Sequence, residues 1–277
     1  MTKKTVQKKS STISLKKTKD IALSIQFSLD GFSFCVSNIL TKKDLFFTEY
    51  LFEETQNSPE DLLEKIKPIF KSDANLQLEY SNITVIHQNS LATIVPNAYF
   101  DENSLANYLN YNIKTLKNDF ITFDNLLEIE AKNVYIPYVN INNYLFQNFG
   151  EFEYKHHYTI LLEKFIKAND SDEKVMYVNI SNKTLEIIIL KGKKLILLNS
   201  FSYNSKEDFI YYILFTAEQL QLNTEAFKLF FTGDINIQSN IYKITYKYIK
   251  HISFLESKNS ILKELKLPKH SNYILLG

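Results

Sequence analysis

The chain has 277 residues, 45% of them hydrophobic, with 32 Lys plus Arg against 31 Asp plus Glu and a formal net charge of +1. That length and apolar content suit one large domain or two modest ones, and the near-cancelled charge gives no overall electrostatic case for a nucleic acid or anionic-membrane partner. Every basic residue is a lysine, which excludes two-point guanidinium recognition and an arginine finger; codon bias in an AT-rich genome accounts for this.

Residues 1–19 carry Lys3, Lys4, Lys8, Lys9, Lys16, Lys17 and Lys19 and no acid. A solvated, poorly ordered tail is expected, with weak adhesion to RNA or anionic lipid as the alternative. No apolar segment follows these charges as in a secretory signal, and no apolar run approaches the roughly 20 residues of a membrane span. The expectation is a cytoplasmic protein without a transmembrane segment. Cys35 is the only cysteine, which excludes an intramolecular disulfide or a cysteine-based zinc site.

Ile21 to Leu29 alternates apolar and small polar residues and predicts a strand. Asp30-Gly31 predicts a hairpin turn built on two left-handed positions, with Phe32 to Asn38 returning and Leu45 to Phe52 as a third strand. Ser58-Pro59-Glu60-Asp61 predicts a helix start, with Leu62, Leu63, Ile66 and Ile69 or Phe70 inward. A strand at Asn82 to His87, a helix capped by Asp101, a strand at Asn133 to Pro137 and helices near 141–149 and 158–167 follow. Ala168 to Lys174 is polar and marks the boundary between halves. Val175 to Ile180, Leu185 to Leu190 and Leu195 to Phe201 then repeat the meander. Ser205-Lys206-Glu207-Asp208 opens a helix, Lys228 to Thr232 is a strand ending at Gly233-Asp234, and a helix over 240–250 and a short strand at 252–255 complete the repeat.

The order strand, strand, strand, helix, strand, helix thus occurs in both halves. Its opening phrases are Ile25-Gln26-Phe27-Ser28 before Leu29-Asp30-Gly31-Phe32, and Val178-Asn179-Ile180-Ser181 before Asn182-Lys183-Thr184. With Ala92-Thr93-Ile94-Val95-Pro96, Lys155-His156-His157, Glu207 to Leu214 and Phe231-Thr232-Gly233-Asp234, the chain resembles the actin-like ATPase superfamily of actin, heat-shock chaperones and sugar kinases. It is similar to the cytosolic actin-like proteins of type IV pilus assembly and type II secretion, and it looks like a member of an uncharacterised bacterial family with that fold. The resemblance implies an α/β fold of duplicated actin-like (ribonuclease H-like) domains, each a mixed sheet with an antiparallel three-stranded meander and flanking helices. The expected division is residues 1–19 as tail, 20–170 as first domain and 171–277 as second.

The resemblance also implies what an active member would carry, namely Asp-hydrophobic-Gly in each phosphate loop, with carboxylates for hydrated magnesium and Gly for close approach of backbone to phosphate. Laid on this chain, Gln26 and Asn179 fall at the Asp positions, Ser28 and Ser181 at the Gly positions, and Gly233-Asp234 at the adenosine-side Gly-Gly. Gln26, Ser28, Asn179, Ser181, Gly233 and Asp234 are therefore the candidate residues of a vestigial nucleotide cleft, with no catalytic or metal residue assigned. Asp30 is weighed as a replacement acid and read as a turn residue. His156-His157 are adjacent, so on a helix they would diverge by about 100° and form no metalloprotease pair; helix entry is the expected role. There is no Walker loop, Rossmann fingerprint or Gly-x-Ser-x-Gly elbow.

The expected function is a non-catalytic actin-like scaffold or adaptor with a protein partner, no specific nucleic acid and no cofactor beyond residual ATP binding. The alternatives are a nucleotide-binding ATPase or kinase with an atypical metal site using Asp30 or Asp234, and a metal-independent small-ligand sensor.

Overall fold

In the computed structural model, which describes residues 20–116 and 118–277, the first strand β1 (Ile21–Ser28) buries alternate residues, as its period of two requires. Strands β2 (Gly31–Asn38) and β3 (Lys43–Leu51) complete an antiparallel meander. Helix α1 (Pro59–Ser72) starts where Ser58 accepts the Asp61 N–H at 3.1 Å and Pro59 occupies the first helical turn, and it buries Leu62, Ile66, Ile69 and Phe70. Strand β4 (Asn82–His87) then joins β1 in parallel.

Between β4 and helix α3 (Val139–Phe149) lies an insertion with a three-stranded sheet of its own. It comprises β5 (Ala92–Pro96), helix α2 (Leu105–Asn110), β6 (Thr122–Leu126) and β7 (Ala131–Tyr135), in the sheet order β5-β7-β6. Its small core centres on Val95, Leu109, Val134 and Ile136. Strand β8 (Glu153–His156) pairs in parallel with β4, giving the first main sheet the order β3-β2-β1-β4-β8, and α4 (His157–Ala168) follows it. Strands β5, β6 and β8 are additions to the sequence expectation.

The second main sheet repeats the first. Strands β9 (Lys174–Ser181), β10 (Thr184–Lys191) and β11 (Lys194–Ser202) form the meander, and helix α5 (Lys206–Gln219) follows behind a Ser205–Asp208 capping box. Strand β12 (Lys228–Gly233), helix α6 (Asn240–Tyr248) and strand β13 (His251–Phe254) complete the order β11-β10-β9-β12-β13. Short helices α7 (Ser260–Glu264) and α8 (Tyr273–Leu276) follow. In each sheet one face carries the main core. Ile21, Leu23, Ile25, Phe27, Phe32, Phe34 and Val85 pack with the buried faces of α1 and α3, and Met176, Val178, Ile180, Ile187, Leu229 and Phe231 pack with the buried face of α5. Each such side chain contributes about 1.5–3 kcal/mol relative to leaving it exposed.

The chain falls into two compact units. The first takes the described part of Met1–Asn125 with Lys132–Thr159 and Asn259–Leu267; the second takes Leu126–Ala131, Ile160–Lys258 and Pro268–Gly277. No helix among the described residues is long and apolar enough to cross a membrane. The expected basic tail lies outside the described residues.

Candidate functional site

The two meanders close in the same register. β1 ends with Ser28 opposite Gly31, and β9 ends with Ser181 opposite Thr184. Two residues earlier stand Gln26, opposite Ser33 and Ile86, and Asn179, opposite Glu186 and Thr232. The parallel strands beyond obey the same geometry. The Gln88 N–H donates to the Phe27 carbonyl at 2.8 Å, and the Asp234 N–H donates to the Ile180 carbonyl at 2.7 Å. Gln26 and Asn179, His87 and Gly233, and Gln88 and Asp234 are therefore matched places in the two main sheets.

In the first unit, the Gln26 Nε2 donates to Gln88 Oε1 at 2.5 Å. The Ser28 hydroxyl accepts the Asp30 N–H at 3.3 Å and donates to the Gly31 carbonyl at 3.4 Å, so it closes the hairpin. The turn differs from the expected one. Leu29 and Asp30 are its central residues, because Ser28 pairs with Gly31, and Asp30 has a negative φ. Gly31, at φ +153°, is required by crowding, since a Cβ there would sit 2.1 Å from the Tyr50 carbonyl oxygen. The Asp30 carboxylate accepts the Thr55 hydroxyl at 2.5 Å.

In the second unit, Asn179 is buried and both ends of its amide are engaged. Its Nδ2 donates to Glu186 Oε2 at 2.8 Å, and its Oδ1 accepts the Thr232 hydroxyl at 2.9 Å. Glu186 is itself 3% exposed, so the amide serves as hydrogen-bond donor to a buried carboxylate. The Thr184 hydroxyl donates to the Ser181 carbonyl at 2.8 Å and lies 3.2 Å from the Ser181 hydroxyl, tying off this hairpin as Ser28 does the other. Gly233, at φ +83°, would place a Cβ 2.1 Å from the Ile180 carbonyl oxygen. Its N–H donates to the His270 carbonyl at 2.8 Å, and His270 Nε2 lies 2.6 Å from the Ile235 carbonyl. Asp234 is exposed.

Sequence reasoning missed Glu186, although its place was legible. A two-residue loop at Asn182-Lys183 pairs Ser181 with Thr184, and hence Asn179 with Glu186. It also missed a polar knot in the first unit. There Asp124 accepts the Tyr135 hydroxyl at 3.0 Å, the Thr159 hydroxyl at 2.6 Å and the His156 N–H at 2.8 Å, while Asn133 Nδ2 donates to the Thr159 hydroxyl at 2.9 Å. Burial pushes the Asp124 carboxyl up against the opposing pull of those donors. His156, the last residue of β8, stands immediately before α4, which opens at His157, so the pair lies at a helix entry as expected. The His156 Nδ1 accepts the Tyr158 N–H at 3.2 Å, its Nε2 donates to the Asn89 carbonyl at 3.0 Å, and burial holds its pKa well below the ordinary value. Among the described residues no group of three or more His, Cys, Asp or Glu is placed to hold a metal ion.

A family model described as "Protein of unknown function (DUF3822)" matches residues 10–252. No curated protein matches the chain. Among solved structures, a Bacteroides thetaiotaomicron protein with actin-like ATPase fold and unknown function is 24% identical with a TM-score of 0.78, the match covering 88% of this chain and 93% of that one. The PilM-PilN type IV pilus biogenesis complex matches at 12% identity and a TM-score of 0.53, over 91% of this chain and 96% of that one. These likenesses show the actin-like ATPase fold, as the repeated order of elements predicts.

Proposed function

The chain belongs to the DUF3822 family, and we propose that it is a non-catalytic actin-like protein, a cytoplasmic scaffold or adaptor that binds another protein. The observation that carries this reading is Asn179. The resemblance puts a magnesium-associated carboxylate at that place in an active member. Here an amide stands there, buried, with its donor on Glu186 and its acceptor on Thr232. The matched position in the first unit is Gln26, held by Gln88.

The backbone donors support the same reading. Phosphate binding by loops of this kind relies on N–H groups left open to the ligand. The Gly233 N–H is given to His270, and the Asp234 N–H to Ile180. Gln26, Ser28, Asn179, Ser181, Gly233 and Asp234 are thus read as the remains of a nucleotide site now employed in holding each sheet together. An adaptor role accords with PilM, whose solved structure is a complex with PilN.

Thermal unfolding with millimolar Mg-ATP, with ATP plus chelator, and with neither tests this. A ligand at about 100 times its dissociation constant stabilises a fold by about 2.7 kcal/mol. No shift in either nucleotide condition is expected. A magnesium-dependent shift with hydrolysis lost in Asp234→Asn would establish the atypical ATPase instead, and a shift indifferent to chelator would establish the ligand sensor.

A further inference from the structure

We propose that the surface between the start of α5 and helix α6 in the second unit is a docking groove for an acidic, amphipathic helical segment of a partner protein. This rests on the adaptor reading above and gives it a site. The groove has a volume of about 820 Å³, within the roughly 300–1,000 Å³ span of binding clefts. Its apolar lining is Ile237, Tyr242, Ile244 and Tyr246, and its charged lining is Lys206, Lys243 and Lys247; no acidic residue lines it. Ile237 and Tyr246 are 58% and 65% exposed, an arrangement that water disfavours and a partner would cover.

Charge complementarity sets the sign of the occupant. Lys243 and Lys247 lie one turn apart on α6, and neither forms an ion pair among the described residues, whereas Lys206 has Glu207 at 3.6 Å. Aliphatic side chains suit the Ile237 and Ile244 part of the lining, and Tyr246, stacked on Tyr242 at 6.3 Å between centroids, is a rigid aromatic contact of the kind that anchors interfaces. The conformation of the occupant follows from what the groove lacks. Its lining comes from α6, the first residue of α5 and the loop before α6, with no strand edge to complete an incoming strand's hydrogen bonds. Strand addition is thus disfavoured here, and a helix, which satisfies its own backbone, suits this lining.

A displayed library of helical peptides, selected on the full chain at about 150 mM salt, tests the proposal. The enriched sequences should be net acidic with large apolar residues three and four apart. A synthetic peptide from that set, followed by fluorescence anisotropy, should bind at least about tenfold more weakly to the K243E/K247E double variant and to Tyr246→Ala, while both variants keep the parent melting temperature. Winners without an acidic bias, binding unchanged in K243E/K247E, or displacement of the peptide by ATP or single-stranded RNA would overturn it. The two readings fail separately. Peptide binding that obeys these rules in a chain that also hydrolyses Mg-ATP supports the groove and refutes only the non-catalytic role; absent peptide binding without hydrolysis refutes only the groove.

Discussion

Acidification from pH 7 to pH 5 is expected to destabilise the first unit by about 2 kcal/mol through His87 alone. The ring is 0% exposed at the end of β4. Its Nδ1 accepts the Tyr138 N–H at 3.3 Å, so Nε2 carries the single proton and donates to Asn142 Oδ1 at 3.0 Å. Tyr138 and Tyr154 pack edge-on against it at 5.6 and 5.8 Å. Burial lowers its pKa to about 4, with the Asn142 bond opposing, against about 6.5 in an unfolded chain. Because the folded value is the lower one, the unfolded state binds the extra proton between those limits. Stability present above about pH 6.5 is therefore lost as pH falls and levels off below about 4. His156, also held low by burial, acts with the same sign. The assay is urea unfolding at both pH values for the parent and for His87→Asn. The variant forfeits the bond to Asn142, a cost of about 1 kcal/mol at pH 7, but it loses the His87 share of the pH dependence, so the order should reverse and the variant should be about 1 kcal/mol the more stable at pH 5. A variant that loses as much stability as the parent between the two pH values would refute the reasoning.

Other substitutions probe the matched positions. Gly233→Ala should cost about 3 kcal/mol or more in chemical unfolding, because the left-handed φ and the Ile180 carbonyl oxygen both reject a Cβ. Asn179→Asp sets a second carboxylate against Glu186 and should destabilise the second unit by about 3 kcal/mol at neutral pH, with most of that recovered in N179D/E186Q and no magnesium binding gained by calorimetry. Ser205→Ala removes one half of a reciprocal cap and should lower stability by about 1 kcal/mol, read as a shifted urea midpoint.

Much of the fold is legible because local rules and tertiary structure agree in it. Alternation at Ile21 to Leu29, the Ser58-Pro59 start and the Ser205 box each specify an element without help from distant residues, and both five-stranded sheets contain them. Strand β8 escapes such reading because Glu-Tyr-Lys-His buries only its last residue fully and owes its conformation to β4. The candidate residues divide in the same way. The Asn179–Glu186 contact follows from hairpin arithmetic, whereas Thr232 and Gln88 arrive through parallel crossovers whose register no short segment specifies. The turn at Asp30 departs from the expected geometry because Asp-Gly commonly supplies two left-handed positions, while this Gly answers to the neighbouring strand's carbonyl.

The short helix α7 bears on how this chain can be dissected. It belongs to the first unit, where it lies against β3, buries Ile261 and Leu262 completely and begins at Asn259, whose amide donates to Asp44. Residues of the second unit flank it on both sides. No single cut in the polypeptide therefore releases two whole halves. A fragment ending before Asn259 bares the apolar seat that α7 fills, and one beginning at Ile160 carries α7 with nothing to cover it. Either would be a sticky bait whose captured proteins report the cut rather than the native surface, so partner searches call for the uncut chain with point variants as controls.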